Sequence, residues 1–506
     1  MKKLRILALL LVFAVCLGVL ASCGGGSDVT NDGGERGADG SWDGVDFGGQ
    51  TVNFCISVNK YDECNFPAAD IYTKGPDQAG TNEVAKEVIA RNAAAEETLG
   101  VKINYSEKDL TYDKILEDIR AIVQTSAKNS PDIYNNDIYG LARAMVDGLL
   151  WNVKNPGADV VSYFNFEADG FYTEFMRGCT FDQSKFYLIA GDYFIDMIRM
   201  AWIILVNNDL FAANIKKMPT WCTSVDEFYA YVEEGAWDID MLGDLANRAF
   251  TDGAGGTGGI AEKSDLVVGL AINHVTDWVI GTSSGVTLFY QDKDNGYAPS
   301  VLSTMDTYQR LANRYAELAS TAGVYFDQIV NTSTECFLQG NYLFAFSRLG
   351  EMESPTLRDF SMAKGLVPVP KWDWTEQEEY HTMVHDQAEI ACVLNTAKAF
   401  SAASALMQFL NEESEQVVYT YFEKGLKYKY NDDIASRTMM DIVRASTDSP
   451  FGSQIGSLCR QLYTGTGTLK GLSLETPDTI SSTFASEKDA YNDCMRRMVE
   501  LFATLQ

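Results

Sequence analysis

The sequence predicts an α/β fold built on a mostly parallel sheet, and three observations carry that prediction. Strand-like and helix-like segments alternate from Thr51 onward, capping residues stand at the helix boundaries, and 46% of the 506 residues are apolar, enough for a large core. Thr51–Val58 reads as a strand with Val52, Phe54 and Ile56 on one face. Asn82 stands where it can cap a helix over Glu83–Leu99, whose Val84, Val88 and Ala95 share a side, and Gly100 is its stop. Val101–Tyr105 alternates as a second strand. Tyr112–Ser126 is a helix with Ile115, Ile119, Ile122 and Val123 along its buried stripe. Pro131–Tyr134 opens a third strand, and Ile138–Leu150 is the next helix. Each helix returns the chain to the start of a neighbouring strand, which makes the strands parallel.

The N-terminus is of a different kind. Lys2, Lys3 and Arg5 precede an apolar run from Ile6 to Leu20, which is shorter than the roughly 20 residues of a spanning helix. The sequence Leu20-Ala21-Ser22-Cys23 resembles a lipobox, in which the Cys is lipidated and becomes the first mature residue. Residues 1–22 are then a lipoprotein signal peptide, with an ordinary signal peptide or an uncleaved anchor as alternatives. Residues 23–44 are rich in Gly, Ser and Asp and predict a flexible tether. Together these place the folded body at the outer face of the cytoplasmic membrane, held by its lipid.

The formal net charge of -30 argues against nucleic-acid binding, because phosphates demand Lys and Arg. Ten Cys are scattered without a close CxxC pair, so the eight beyond Cys23 read as free, buried thiols; Cys55 and Cys64 are the one near pair.

Motifs that would signal chemistry fail on context. Gly281 to Gly285 spells GxSxG, but a nucleophile elbow needs a helix after it, and Val286–Tyr290 reads as a strand. Gly253 to Gly258 contains GxGxxG but follows a helix instead of a strand, and lacks the alternating acids of a calcium loop. His381 and His385 share one face by spacing but have no third ligand in sight. No catalytic residue, metal or cofactor is assigned.

A resemblance emerges from motif order. The opening strands and helices are followed by Lys185–Ala190 (KFYLIA) and Trp202–Phe211 (WIILVNNDLF). Pro219-Thr-Trp221 then precedes Asp226–Phe228 and Gly235–Asp238 (GAWD). Phe337–Phe346, Gly365–Lys371 (GLVPVPK) with Trp372, and Tyr421–Lys427 (YFEKGLK) come later. In this order they resemble the family 1 extracellular solute-binding proteins, the maltose-binding-like receptors of ABC importers, over almost all of the chain from about residue 48. The resemblance implies a two-lobed, type II periplasmic-binding-protein-like fold, each lobe a sheet flanked by helices, with a hinge and an interlobe cleft. Lobe one takes residues 45–192 with 350–397, and lobe two takes 193–349 with 398–506.

It also implies a receptor and not an enzyme, a monomer that passes its ligand to membrane permease subunits. A carbohydrate, in particular an oligosaccharide, is the expected ligand. A peptide or other small organic solute on the same scaffold and a secreted glycoside hydrolase are the rival readings. Sugar rings stack their C–H faces on aromatics while fixed polar groups hold their hydroxyls. On that ground Trp278, with Asn273 and Asp277 beside it in a loop after the strand-like Leu266–Ile272, is expected to face the cleft; core packing is the alternative. Tyr61 follows the first strand. Asp137 is either a hydroxyl acceptor or the N-cap of the helix from Ile138. Asp192 and Arg348 fall at the expected crossings, and Tyr421 stands to close the cleft from the C-terminal helices. Trp221 and Trp237 read as core, and Trp372 and Trp374 as rim or surface.

Overall fold

The computed structural model describes residues 32–58, 70–76, 80, 82–111, 114–127, 129–253, 261–327, 333–426, 434–455 and 472–505. Tyr61, Cys23, Cys64 and most of the glycine-rich stretch at 253–258 lie outside the described residues. The strands in chain order are β1 (Gln50–Ser57), β2 (Val101–Lys108), β3 (Ile133–Asp137), β4 (Trp202–Asn207), β5 (Val268–Ile272), β6 (Phe289–Asp292), β7 (Ala298–Val301), β8 (Val324–Phe326), β9 (Tyr342–Arg348), β10 (Lys364–Pro368) and β11 (Glu389–Val393). The helices used below are α1 (Glu83–Leu99), α2 (Ile115–Thr125), α3 (Ile138–Val146), α4 (Thr173–Arg177), α5 (Asp196–Arg199), α6 (Val225–Glu233), α7 (Ile239–Ala249), α8 (Thr276–Ser283), α9 (Asp306–Ala319), α10 (Phe400–Glu412), α11 (Glu415–Thr420), α12 (Ile434–Ala445) and α13 (Pro477–Thr504).

Local signals act as the sequence predicts. Asn82 accepts the Ala85 amide at 3.1 Å and caps α1. Gly100 ends it in the left-handed region at φ +60°, where a side chain is strained. The stripe of α2 begins with the fully buried Ile115 and Ile119. The helix from Ile138 stops at Val146, four residues short of the predicted Leu150, because Gly148 turns at φ +69°.

Each lobe holds one large sheet, and β6 and β7 form a separate antiparallel hairpin. The first sheet has the order β11-β3-β1-β2, with β1 parallel to β2 and β3, and β11 antiparallel to β3. The second sheet has the order β10-β4-β9-β5-β8. Here β5 runs parallel to β8 and β9, while β4 is antiparallel to β9 and β10. Both sheets are therefore mixed, with antiparallel members where the chain crosses between lobes.

Lobe boundaries differ from those predicted in three places, one of them the end of α13, where Phe502 packs on Phe181 and Tyr187 of lobe one. Residues 364–368, expected in lobe one, form β10 beside β4 in the second sheet. Gly365 allows this, since a Cβ there would meet the Tyr229 hydroxyl of α6 at 2.0 Å. Residues 400–420, expected in lobe two, pack on α1 of lobe one. Helix α10 turns its buried polar side chains onto the first-lobe backbone: Ser404 accepts from Tyr163 N–H at 3.1 Å, Gln408 from Asn165 at 2.8 Å and Asn411 from Tyr193 at 3.0 Å. These bonds satisfy groups that burial would otherwise leave unpaired, so they pin the helix to that lobe.

Residues 32–44, expected in the flexible tether, lie against lobe one: Trp42 packs on Tyr163 and Phe409, each at 5.9 Å, and the Arg36 guanidinium sits 4.0 Å over Trp42 while pairing with Glu412 at 3.1 Å. Trp237 is core, donating to Pro368 O, and Trp221 stacks on Tyr231 at 4.1 Å. Trp372, predicted at the rim, is buried beneath the guanidiniums of Arg310 and Arg314, whereas Trp374 is exposed. The described thiols Cys55, Cys179, Cys222, Cys336, Cys392 and Cys494 are buried.

Two segments that cross between the lobes, α5 to Ala201 and His381 to Glu389, bond to each other and to the turn Arg348–Glu353 at the lobe junction. Leu349 N–H donates to Ala201 O, His385 N–H to Met200 O, and Glu389 N–H to the Asp196 carboxylate at 2.8 Å. Arg199, 1% exposed, ties the bundle together by donating to Asp196 and Glu353, both at 2.8 Å.

Candidate functional site

Between the lobes lie the His381–Glu389 segment and the β6–β7 hairpin, whose Gln291 and Tyr297 meet Arg177, Thr180 and Glu174 of the first lobe. Helix α8 begins just past β5, and its first turn presents Asp277 and Trp278. The sequence reading put these two in a loop. Their helix forms because Asn273 and Thr276 bond each other across the turn that precedes it. The Trp278 ring, half-buried, meets His385 edge-on at 5.9 Å, and His385 in turn lies 6.0 Å from Trp202. A row of three aromatic rings thus runs from the second lobe onto the crossing segment.

Two cavities open beneath α8 and share a wall of Thr282, Thr287 and Gly452. One, of about 120 Å³, is lined by Asp277, Trp278, Phe289, Tyr308 and Leu474, among others. The other, of about 150 Å³, lies between the lobes. Glu174 of α4 closes it from the first lobe; Tyr290, Gln291 and Tyr297 of the hairpin close it from the second, with His381 and Asp448 at its side. The His381 imidazole is 3.3 Å from Asp448. Gly452 makes the shared wall possible, because a Cβ there would overlap the Thr287 hydroxyl at 2.3 Å.

Electrostatics divides the acids of this region. Asp277 is raised by burial, opposed by the Ser473 hydroxyl that donates to it at 2.9 Å. Asp137 is pushed up to about 7, chiefly by burial and further by the nearby Asp386 carboxylate, against the Gly140 amide that favours its charged form. The described residues hold no group of three His, Cys, Asp or Glu arranged to ligate a metal. Gly281 to Gly285 is the end of a helix leading to a strand, the reverse of a nucleophile elbow. Stacking faces beside carboxylates, amides and hydroxyls suit capture of a solute that has both apolar faces and many hydrogen-bonding groups.

The residues singled out from sequence separate into groups. Asp277 and Trp278 line a cavity. Asp137 caps α3, accepting from Gly140 N–H at 2.7 Å, at the end of β3. Asn273 is buried and organises its own turn. Asp192, Arg348 and Tyr421 are buried at the lobe junction and line neither cavity. Asp192 accepts from Arg444 of α12 at 2.8 Å, Arg348 donates to Glu351 at 3.0 Å, and Tyr421 donates to Glu353 at 2.6 Å. Tyr421 therefore extends the Arg199 network, joined by Tyr72, which donates to Glu353 at 3.0 Å.

Sequence reasoning missed Glu174, Tyr290, Gln291, Tyr297, Tyr308 and Asp448 as cavity walls. No local signal marks them, since each is an ordinary polar or aromatic residue on a surface element. The Arg199 network did carry a signal: a lone Arg inside the apolar run Met197–Trp202 must be paired when buried.

No protein-family model matches this chain, and no curated protein does. Solved structures do. A sugar transporter from Rhizobium etli, in an open conformation, superposes with TM-score 0.51 at 13% identity, over 90% of this chain and 100% of that one. The GacH receptor of Streptomyces glaucescens, solved unliganded and with acarbose, gives 0.48 at 11% over 90% and 100%. The cyclic α-maltosyl-1,6-maltose binding protein of Arthrobacter globiformis gives 0.48 at 12% over 89% and 99%. With a large sheet in each lobe and the chain crossing between them, the chain has the two-lobed, periplasmic-binding-protein-like α/β fold.

Proposed function

We propose that this chain is a family 1 extracellular solute-binding lipoprotein of an ABC importer, a monomeric receptor that captures a carbohydrate and performs no catalysis. The observation that carries the reading is a pair of adjoining cavities, one between the lobes lined by Tyr290, Tyr297, Glu174 and Gln291, the other behind it in the second lobe lined by Trp278, Tyr308 and Asp277. Aromatic faces take the C–H faces of sugar rings, and the acids and amide take their hydroxyls. An oligosaccharide is favoured over a single sugar because the cavities adjoin along the Thr282–Thr287 wall. The similarity to sugar-transport receptors supports the same reading. Ligand bridges the lobes, and its added contacts favour the closed form. The closed receptor then docks on membrane permease subunits. The ATPase is a separate subunit, since this sequence has no GxxxxGK[ST] loop.

Cys23 is the proposed lipid attachment, placing the body at the outer face of the cytoplasmic membrane. Labelling of the full chain by a fatty-acid probe, lost in Cys23→Ser, tests this. The receptor reading is tested by a thermal-shift screen of the body from residue 32 against mono- and oligosaccharides, amino acids and short peptides. A ligand at 100 times its Kd stabilises by about 2.7 kcal/mol. An oligosaccharide that raises Tm and is recovered with unchanged mass supports the proposal. A response to peptides alone discards its ligand class, and conversion of a sugar to product overturns the receptor.

A further inference from the structure

The β6–β7 hairpin is anchored on the second lobe, where Phe289 packs on Tyr491 of α13 at 6.0 Å, yet its polar side chains reach the first lobe. Tyr297 donates to the Glu174 carboxylate, with oxygens at 2.9 and 3.1 Å, and the Arg177 guanidinium lies 5.2 Å from its ring. Gln291 donates to the carbonyls of Arg177 and Thr180 at 2.8 and 2.9 Å. Both partners sit at or just after α4, so one hairpin grips one short first-lobe segment at several points. The Tyr297 backbone is in the left-handed region at φ +62°; Ser126 is the other described non-glycine residue there. The hairpin turn fixes that conformation, with the Tyr297 amide donating to Asp292 O at 2.8 Å, and it directs the side chain onto the opposite lobe.

We infer that the β6–β7 hairpin is a latch across the cleft mouth, with Tyr297 and Gln291 acting as positioning residues that hold the lobes closed before ligand arrives. The inference rests on the receptor reading for its purpose and on the interlobe contacts alone for its test. Opening must break the Tyr297–Glu174 bond and both Gln291 bonds, all of which join partners more than 100 residues apart. The latch sets the closure equilibrium, and it slows release because the mouth must open before the solute leaves.

The test uses the ligand-free chain carrying spin labels at two exposed positions, Ala94→Cys on α1 and Asn247→Cys on α7. Double electron–electron resonance then reads the distance between lobes. Tyr297→Phe, which keeps the ring and loses the bond, is expected to raise the open population about fivefold, in line with the loss of one hydrogen bond. Gln291→Ala should do the same independently, and Asp294→Ala at the exposed hairpin tip should do nothing. A distance distribution unmoved by both latch variants overturns the inference, as does a wild-type distribution that is already open. Lobes that open in the variants but are closed by no sugar leave the latch standing and remove the carbohydrate reading. A purely structural role would lower Tm and leave the distances where they were.

Discussion

At the hinge, Arg199 keeps 1% of its side chain exposed, and its partners Asp196 and Glu353 keep 4% and 8%. At the cleft mouth Glu174, which Tyr297 meets from the opposite lobe, keeps 56%. Both junctions set tyrosine against carboxylate, at very different cost of separation. A buried pair that loses a partner strands a charge away from water, whereas a half-exposed pair that parts is rehydrated at once. The hinge network is therefore permanent, and the mouth contacts can be made and broken. A receptor that opens and closes around a fixed axis needs this difference.

Breaking the permanent junction should have the largest effect. Arg199→Met leaves Asp196 and Glu353 buried without their cation, and a loss of about 3–5 kcal/mol in denaturant unfolding is expected. If the loss is below about 1 kcal/mol, the contrast between the junctions fails.

Asp137 offers a test through pH. Its folded pKa is raised to about 7 from an ordinary value of 3.8, so the folded state holds the proton more tightly than the unfolded one. Stability from this group is complete below about pH 4 and is lost as pH rises toward 7. Asp137→Asn, which keeps the cap on α3, should match wild type near pH 4 and exceed it by about 2–4 kcal/mol at pH 8. An equal gain at both pH values would show that the carboxyl is not held protonated.

Arg444→Met removes the partner of Asp192, which is buried, and should cost about 1–3 kcal/mol, less than Arg199→Met because Arg444 is 40% exposed. The smallest effect on stability is expected for Trp278→Ala, whose ring is half-buried at the cavity wall. Its unfolding midpoint should move little, while ligand affinity falls about tenfold, corresponding to about 1.4 kcal/mol. A large stability loss with unchanged affinity would instead make Trp278 a packing residue.

Elements were readable where a signal is complete within a few residues. Helix α1 is such a case, with Asn82, its apolar stripe and Gly100 all in one short stretch. The strand Lys364–Pro368 is the opposite case. Its apolar alternation announces a strand but says nothing about which sheet receives it, and the deciding features are β4, 157 residues earlier in register at Asn207, and the close approach of Tyr229 to Gly365. For the same reason Asp277 and Trp278 could be placed near the cleft, because they follow a strand end, while Tyr297 could not.

The sequence by itself determined the alternation of strands and helices, their caps, the order of segments and the acidic surface, because each depends on residues a few positions apart. The tertiary structure alone decided which lobe takes residues 364–368 and 400–420, which acid is held protonated, and which side chains meet across the cleft. Glu353 lies 154 residues from Arg199, and Tyr297 lies 123 from Glu174. Partners so far apart leave no periodicity between them, and their pairing is set by how the two lobes and the segments that join them pack in space.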